Sequence, residues 1–67
     1  MEQVFKVDTV SNAAKAKRLL QAQGIKSRIT KTGITNNGCA WGIAISGKEA
    51  KEAARLLRLE GIRYEAL

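Results

Sequence analysis

The sequence contains no histidine and no proline, a single cysteine, and one residue each of phenylalanine, tryptophan and tyrosine. Without histidine, histidine-based acid–base catalysis and the common zinc sites are excluded. Because Cys39 is alone, no disulfide can form within the chain. Residues 1–3 lead straight into a predicted strand without a signal-peptide pattern, so we expect a reducing, cytoplasmic setting. We predict neither a metal site nor a cofactor.

Long hydrophobic runs are also missing. The longest one covers residues 40–45, which is far too short to span a membrane. A chain of 67 residues is close to the lower limit for a self-supporting core, so we predict one domain over residues 1–67.

Acidic residues are half as frequent as basic ones, and the net charge is +6. This excess indicates either attraction to nucleic acid or to an acidic protein, or an ordinary solvated basic face. The basic residues are spread along the chain, and few aromatic residues are available to stack on bases. The sequence therefore favours the solvated face over a nucleic-acid partner.

The order of local signals predicts strand, helix, strand, strand, helix, strand. Residues 4–9 are rich in β-formers, Ser11 is a good N-cap, and residues 13–23 are strong helix formers that end at Gly24. Residues 25–32 alternate like a half-exposed edge strand. Residues 33–38 have turn composition, and residues 39–45 form the third strand. A capping box at residues 46–49 begins a helix that runs to Glu60, and residues 62–67 form a last strand.

The two halves of the chain repeat with a shift of 37 residues, which places Ala16 on Ala53 and Gly24 on Gly61. Two such units with short links leave few possible topologies. The simplest is the ferredoxin-like split βαβ fold, an α+β architecture with a four-stranded antiparallel sheet and both helices on one face.

This topology leaves one sheet face without helices. The repeat aligns Phe5 with Gly42, which predicts that the small residues of the third strand lie under the helices. Trp41, Ile43 and Ile45 would then form an apolar patch on the open face and serve as an interface, for example in a homodimer. The alternative reverses the faces and places the tryptophan in the core, and the sequence does not separate the two.

Cys39 is the one candidate catalytic residue. A lone cysteine is more often a small buried hydrophobic residue, but the predicted turn before it lies at the same end of the fold as the start of the first helix. The positive end of that helix, with Lys15 nearby, would favour the thiolate and hold the thiol pKa below its free value of about 8.5. The predicted binding residues come from this helix start, strand and turn: Ser11, Asn12, Lys31, Asn37 and Gly38.

The stretch GCAWGIAI at residues 38–45, preceded by the pattern AxxAxxLLxxxGI at residues 13–25, resembles a family of small bacterial domains described as selenium/sulfur carrier-like. The resemblance covers nearly the whole chain and places Cys39 on the family's cysteine, although Ala40 stands where the family has glycine. It implies a carrier that holds sulfur or selenium on Cys39 as a persulfide-type adduct and passes it from a donor to an acceptor protein.

Such a carrier would not be an autonomous enzyme. The alternative hypothesis is a non-catalytic interaction or dimerisation module with an inert cysteine. A third, less favoured hypothesis is an RNA-binding module. Reactivity of the thiol distinguishes the first two hypotheses, and a steep salt dependence of RNA binding would identify the third.

Overall fold

The computed structural model describes residues 1–35 and 38–67, and its elements follow the predicted order. Its strands are β1 (Glu2–Lys6), β2 (Ser27–Thr35), β3 (Gly38–Ser46) and β4 (Glu65–Ala66), and its helices are α1 (Val10–Ala22) and α2 (Ala50–Leu59). A single 3-10 turn, Gly47–Glu49, leads into α2.

The four strands form one sheet in the order β2-β3-β1-β4, and all neighbouring strands are antiparallel. With a helix after β1 and another after β3, this is the ferredoxin-like split βαβ fold, so the predicted fold class is confirmed. In this topology β1 and β2 run in the same direction. Consequently the start of α1 and the connection from β2 to β3 lie at the same end of the sheet.

The hydrophobic core lies between the sheet and the two helices. Each helix contributes small residues and leucines, and β1 and β3 contribute their larger apolar side chains. The buried cluster consists of Phe5, Val7, Ala13, Ala16, Leu20, Ile25, Ile43, Ile45, Ala53, Leu56, Leu57 and Ile62. Alanine at the helix positions nearest the sheet allows close approach, and the leucines fill the remaining space.

The two helices end in the same way, as the internal repeat predicts. Gly24 and Gly61 have φ angles of 78° and 73°. The residue after each glycine donates its backbone N–H to a carbonyl five positions earlier: Ile25 to Leu20 and Ile62 to Leu57, both at 2.9 Å. This is the Schellman arrangement, in which a left-handed residue closes the helix and a buried hydrophobic residue follows it.

The helix starts differ from the sequence prediction. The N-cap of α1 is Thr9, whose Oγ1 accepts a hydrogen bond from the Asn12 amide at 3.1 Å, and Ser11 lies inside the helix. The predicted Ser11 cap is therefore wrong. The capping box at Ser46 is also wrong: within the described residues Ser46 makes no side-chain cap hydrogen bond, because the chain enters α2 through the 3-10 turn.

Strand boundaries differ as well. β1 ends at Lys6, because Asp8 adopts a positive φ of 66° that turns the chain away from the sheet. Residues 33–35 continue β2 where a turn was predicted. β4 contains only Glu65 and Ala66, so the last strand is shorter than predicted.

The predicted open-face patch is wrong, and the alternative assignment is correct. Ile43 and Ile45 are buried beneath the helices, with exposures of 0% and 1%, and Trp41 packs half-buried against the same core. Phe5 lies opposite Ile43 in the register of β1 and β3, so the repeat aligns the strands one residue out of phase. A one-residue shift moves every side chain to the other face. Both links from strand to helix contain three residues, but the first turns at the positive φ of Asp8 and the second is a 3-10 turn.

Candidate functional site

The β2–β3 hairpin extends beyond the rest of the sheet. β1 pairs with β3 only as far as Lys6 opposite Gly42, followed by one hydrogen bond from Val7 N to Trp41 O at 2.8 Å. The pairing of β2 with β3 continues to Thr35 opposite Gly38. The backbone of Cys39, opposite Ile34, therefore lies on a two-stranded arm, about 7 Å past Trp41 at the usual strand rise per residue.

The start of α1 is tied to the end of β1 by a compact turn. Thr9 N donates to Val7 O at 2.7 Å across Asp8, and Asn12 Nδ2 reaches the same carbonyl at 3.4 Å. No acidic residue lies in the first turn of α1. The predicted binding residue Asn12 thus holds the link between β1 and α1, while Ser11 is exposed on the first turn.

Lys31 contacts the tryptophan. Its Nζ lies 5.5 Å from the centre of the Trp41 ring, and the two residues face each other across β2 and β3. A cation in this position is attracted to the electron-rich ring face. This contact places a positive charge at the base of the hairpin arm, three strand positions before Ile34, the partner of Cys39.

The remaining predicted site residues are only partly covered by the structure. Gly38 begins β3 opposite Thr35. Asn37 and the side chain of Cys39 lie outside the described residues, so the lowered pKa of the thiol stays a prediction.

The aromatic residues all belong to the helix side of the sheet. Phe5 is in the core and contacts Tyr64 edge-to-face with ring centres 5.0 Å apart, and Trp41 packs against the same cluster. The open face instead carries small residues: a Cβ on Gly42 would come within 2.6 Å of Thr32 Cγ2 and 2.8 Å of Phe5 O. An RNA-recognition sheet stacks bases on aromatic side chains of its open face, and this sheet presents none there.

An ion pair crosses the open face. Arg28 on β2 donates to Glu2 on β1 at 2.8 Å, above Ala44 on the strand between them. Ala44 has only 3% exposure although no helix covers it. Sequence reasoning missed this pair, because Arg28 and Glu2 are brought together only by the strand order.

A shallow groove of about 500 Å³ runs between α1 and the start of β2, and sequence reasoning missed it as well. Its lining residues come from the helix, the connection and the strand: Lys17, Gln21, Gly24, Ile25, Lys26 and Ser27. The alternation of residues 25–32 correctly predicted an edge strand. The helical wall of the groove could not be predicted in the same way, because it depends on how α1 packs beside that strand.

Comparisons with known proteins identify no relative: no family model, curated protein or solved structure matches the chain. Within residues 1–35 and 38–67 no group of three or more acidic or cysteine side chains is placed to hold a metal ion. No helix in that part of the chain is long and apolar enough to cross a membrane.

Proposed function

We propose that the protein is a carrier of sulfur or selenium that holds the atom on Cys39 and passes it between a donor and an acceptor protein. The observation that carries this proposal is the position of the Cys39 backbone on the projecting β2–β3 arm. A cysteine on such an arm is suited to entering the site of a larger partner, whereas a cysteine in the middle of β3 would be enclosed by neighbouring strands.

The chemistry requires only a nucleophilic thiolate and a partner that already carries activated sulfur. The thiolate Sγ attacks the outer sulfur of a donor persulfide, R–S–S–H. The bond between Sγ and that sulfur forms, the S–S bond of the donor breaks, and the departing R–S⁻ takes up a proton. Transfer to the acceptor repeats these steps in the other direction. The sulfane sulfur moves at an unchanged oxidation level, so neither an oxidant nor a metal is required.

Two features support an available thiolate. The start of α1 lies at the same end of the sheet as the arm, and the first turn itself contains no acidic residue, the nearest in sequence being Asp8 just before the Thr9 cap. Lys31 adds a positive charge at the base of the arm. Both would favour the charged form of the thiol and lower its pKa.

The test is the pH dependence of iodoacetamide modification, with Cys39→Ser as the blank. We expect a midpoint below that of free cysteine, and Lys31→Gln should raise it. Lys48→Gln is the matched control, because it removes the same charge from the 3-10 turn at the opposite end of the sheet. A midpoint above that of free cysteine, or no labelling of the native protein, would refute the carrier proposal.

A second candidate function is a non-catalytic interaction module, favoured by the free outer edge of β2. The two functions differ in their dependence on the thiol. A Cys39→Ser variant would lose all carrier activity but would keep partner binding through the sheet edge.

A further inference from the structure

We infer that the outer edge of β2 binds an extended, acidic segment of a partner protein, which joins the sheet as a fifth strand. This inference specifies the partner of the interaction module and does not depend on Cys39. It rests on three properties of residues 17–31: an edge whose outward backbone groups pair with no strand of the described residues, a groove that meets this edge at Ser27, and positive charge around both.

The backbone groups that face outward follow from the register. Trp41 O accepts a hydrogen bond from Val7 N, so Trp41 directs its backbone polar groups toward β1. In an antiparallel sheet alternate residues direct these groups to opposite sides. Gly42 and Ala44 therefore bond to β2, through Thr30 and Arg28. The backbone N–H and C=O groups of the intervening residues point away from the sheet: Ser27, Ile29 and Lys31.

This edge differs from the one on the other side of the sheet. β4 has two residues, and short edge strands offer little to an incoming chain. β2 has nine residues, with a register shift between Lys31 and Gly33. A bulge at that point interrupts the regular alternation of the strand, so the uninterrupted segment that an added strand can follow is residues 27–31.

The groove between α1 and β2 meets this segment at its first residue, Ser27. An added strand would direct alternate side chains toward the helix layer, over the groove floor at Ile25, which is 5% exposed. Lys17 and Lys26 line the groove, and among residues 1–35 and 38–67 no carboxylate does. Acidic side chains at alternate positions of the incoming segment would meet these two ammonium groups.

Repulsion between basic residues disfavours a second copy of this chain as the added strand. Pairing of two β2 edges would bring Lys26, Arg28 and Lys31 of one copy near the same residues of the other. Like charges opposite each other destabilise strand pairs. Glu2 and Glu49 are acidic residues that line a cavity with Lys26 and Arg28, and Glu2 already pairs with Arg28 of its own chain. An acidic strand avoids this repulsion and supplies the missing backbone partners.

The probe is a short peptide of alternating valine and glutamate, added to the isotope-labelled full-length protein. We expect slowed hydrogen exchange at the amides of Ser27, Ile29 and Lys31. The amides of Arg28 and Thr30 are bonded to β3 in the free protein and should change little. A peptide with the same side chains but N-methylated on the amides that face β2 should lose binding, because it cannot donate to the edge.

Charge reversal supplies the matched pair of variants. Lys17→Glu should weaken binding of the peptide by roughly fivefold. Arg63→Glu makes the same change of charge near β4, on the other side of the sheet, and should have little effect.

Four results would overturn the inference. The peptide could fail to protect the three edge amides, or the N-methylated peptide could bind equally well. The two charge variants could lose binding equally, or self-association of the free protein could itself protect these amides. The last would identify a second copy as the occupant. None of these measurements uses the thiol, so a negative result would refute the edge inference without affecting the carrier proposal.

Discussion

At the scale of single residues, glycine has two distinct uses in this protein. Gly24 and Gly61 supply the left-handed conformation that ends each helix. Gly42 instead supplies space, because a side chain there would collide with the backbone of Phe5 and with Thr32. The first use can be inferred from a glycine after a helical pattern, whereas the second depends on which strands become neighbours.

Replacing Gly24 or Gly61 by valine is expected to destabilise the fold by at least about 1 kcal/mol, because a β-branched residue is strained at positive φ. A Cβ has open space at both positions, so the loss reports backbone strain and not a steric clash. Urea denaturation measures it. Gly24→Asn is the matched control and should cost less, since asparagine tolerates this conformation. Equal losses for valine and asparagine would contradict the explanation.

At the scale of elements, the link between strand and helix determines what each half of the repeat presents to the core. The first link turns at Asp8 and caps α1 with Thr9, while the second passes through the 3-10 turn. The helices align under the repeat, but the strands differ in phase by one residue. This difference places Phe5 and Ile43 side by side on the helix face.

Thr9→Ala is expected to lower the free energy of unfolding by about 1 kcal/mol, because it removes the acceptor for the Asn12 amide. Ser11→Ala should change stability by less than half of that, since Ser11 is exposed within the helix. Thermal and urea unfolding of the two variants provide the comparison. If Ser11→Ala proved the more damaging, the N-cap would have to be reassigned.

At the scale of the whole molecule, the two faces of the sheet have different roles. The helix face carries the large apolar side chains of β1 and β3, including Ile43 and Ile45. The open face is built from small residues of β3, shielded by side chains from the flanking strands and by the Arg28–Glu2 pair. Dimerisation through Trp41, Ile43 and Ile45 would therefore require the core to open.

Ile43→Ala is expected to cost about 2–5 kcal/mol, because it leaves a cavity under both helices. In a domain of this size such a loss should unfold a substantial fraction of the protein. Val4→Ala removes a half-buried side chain from β1 and should cost about 1 kcal/mol. Circular dichroism during urea titration measures both. Equal, small losses would show that Ile43 lies outside the core.

The sequence by itself determined the order of elements, the glycine stops of both helices and the split βαβ topology. These features depend on local signals, namely β-rich segments, helix-forming runs and glycine at helix ends, combined with the small number of ways to connect two βαβ units. It also determined that β2 is an edge strand, from the alternation of residues 25–32.

Only the tertiary structure decided which face of β3 is buried, how each helix is capped and where opposite charges meet. The face depends on a one-residue difference in strand phase between the two halves of the repeat, which periodicity within a short strand cannot reveal. The cap depends on the positive φ of Asp8. The edge groove and the Arg28–Glu2 pair join residues that are distant in sequence, and they form because the strand order brings those residues together.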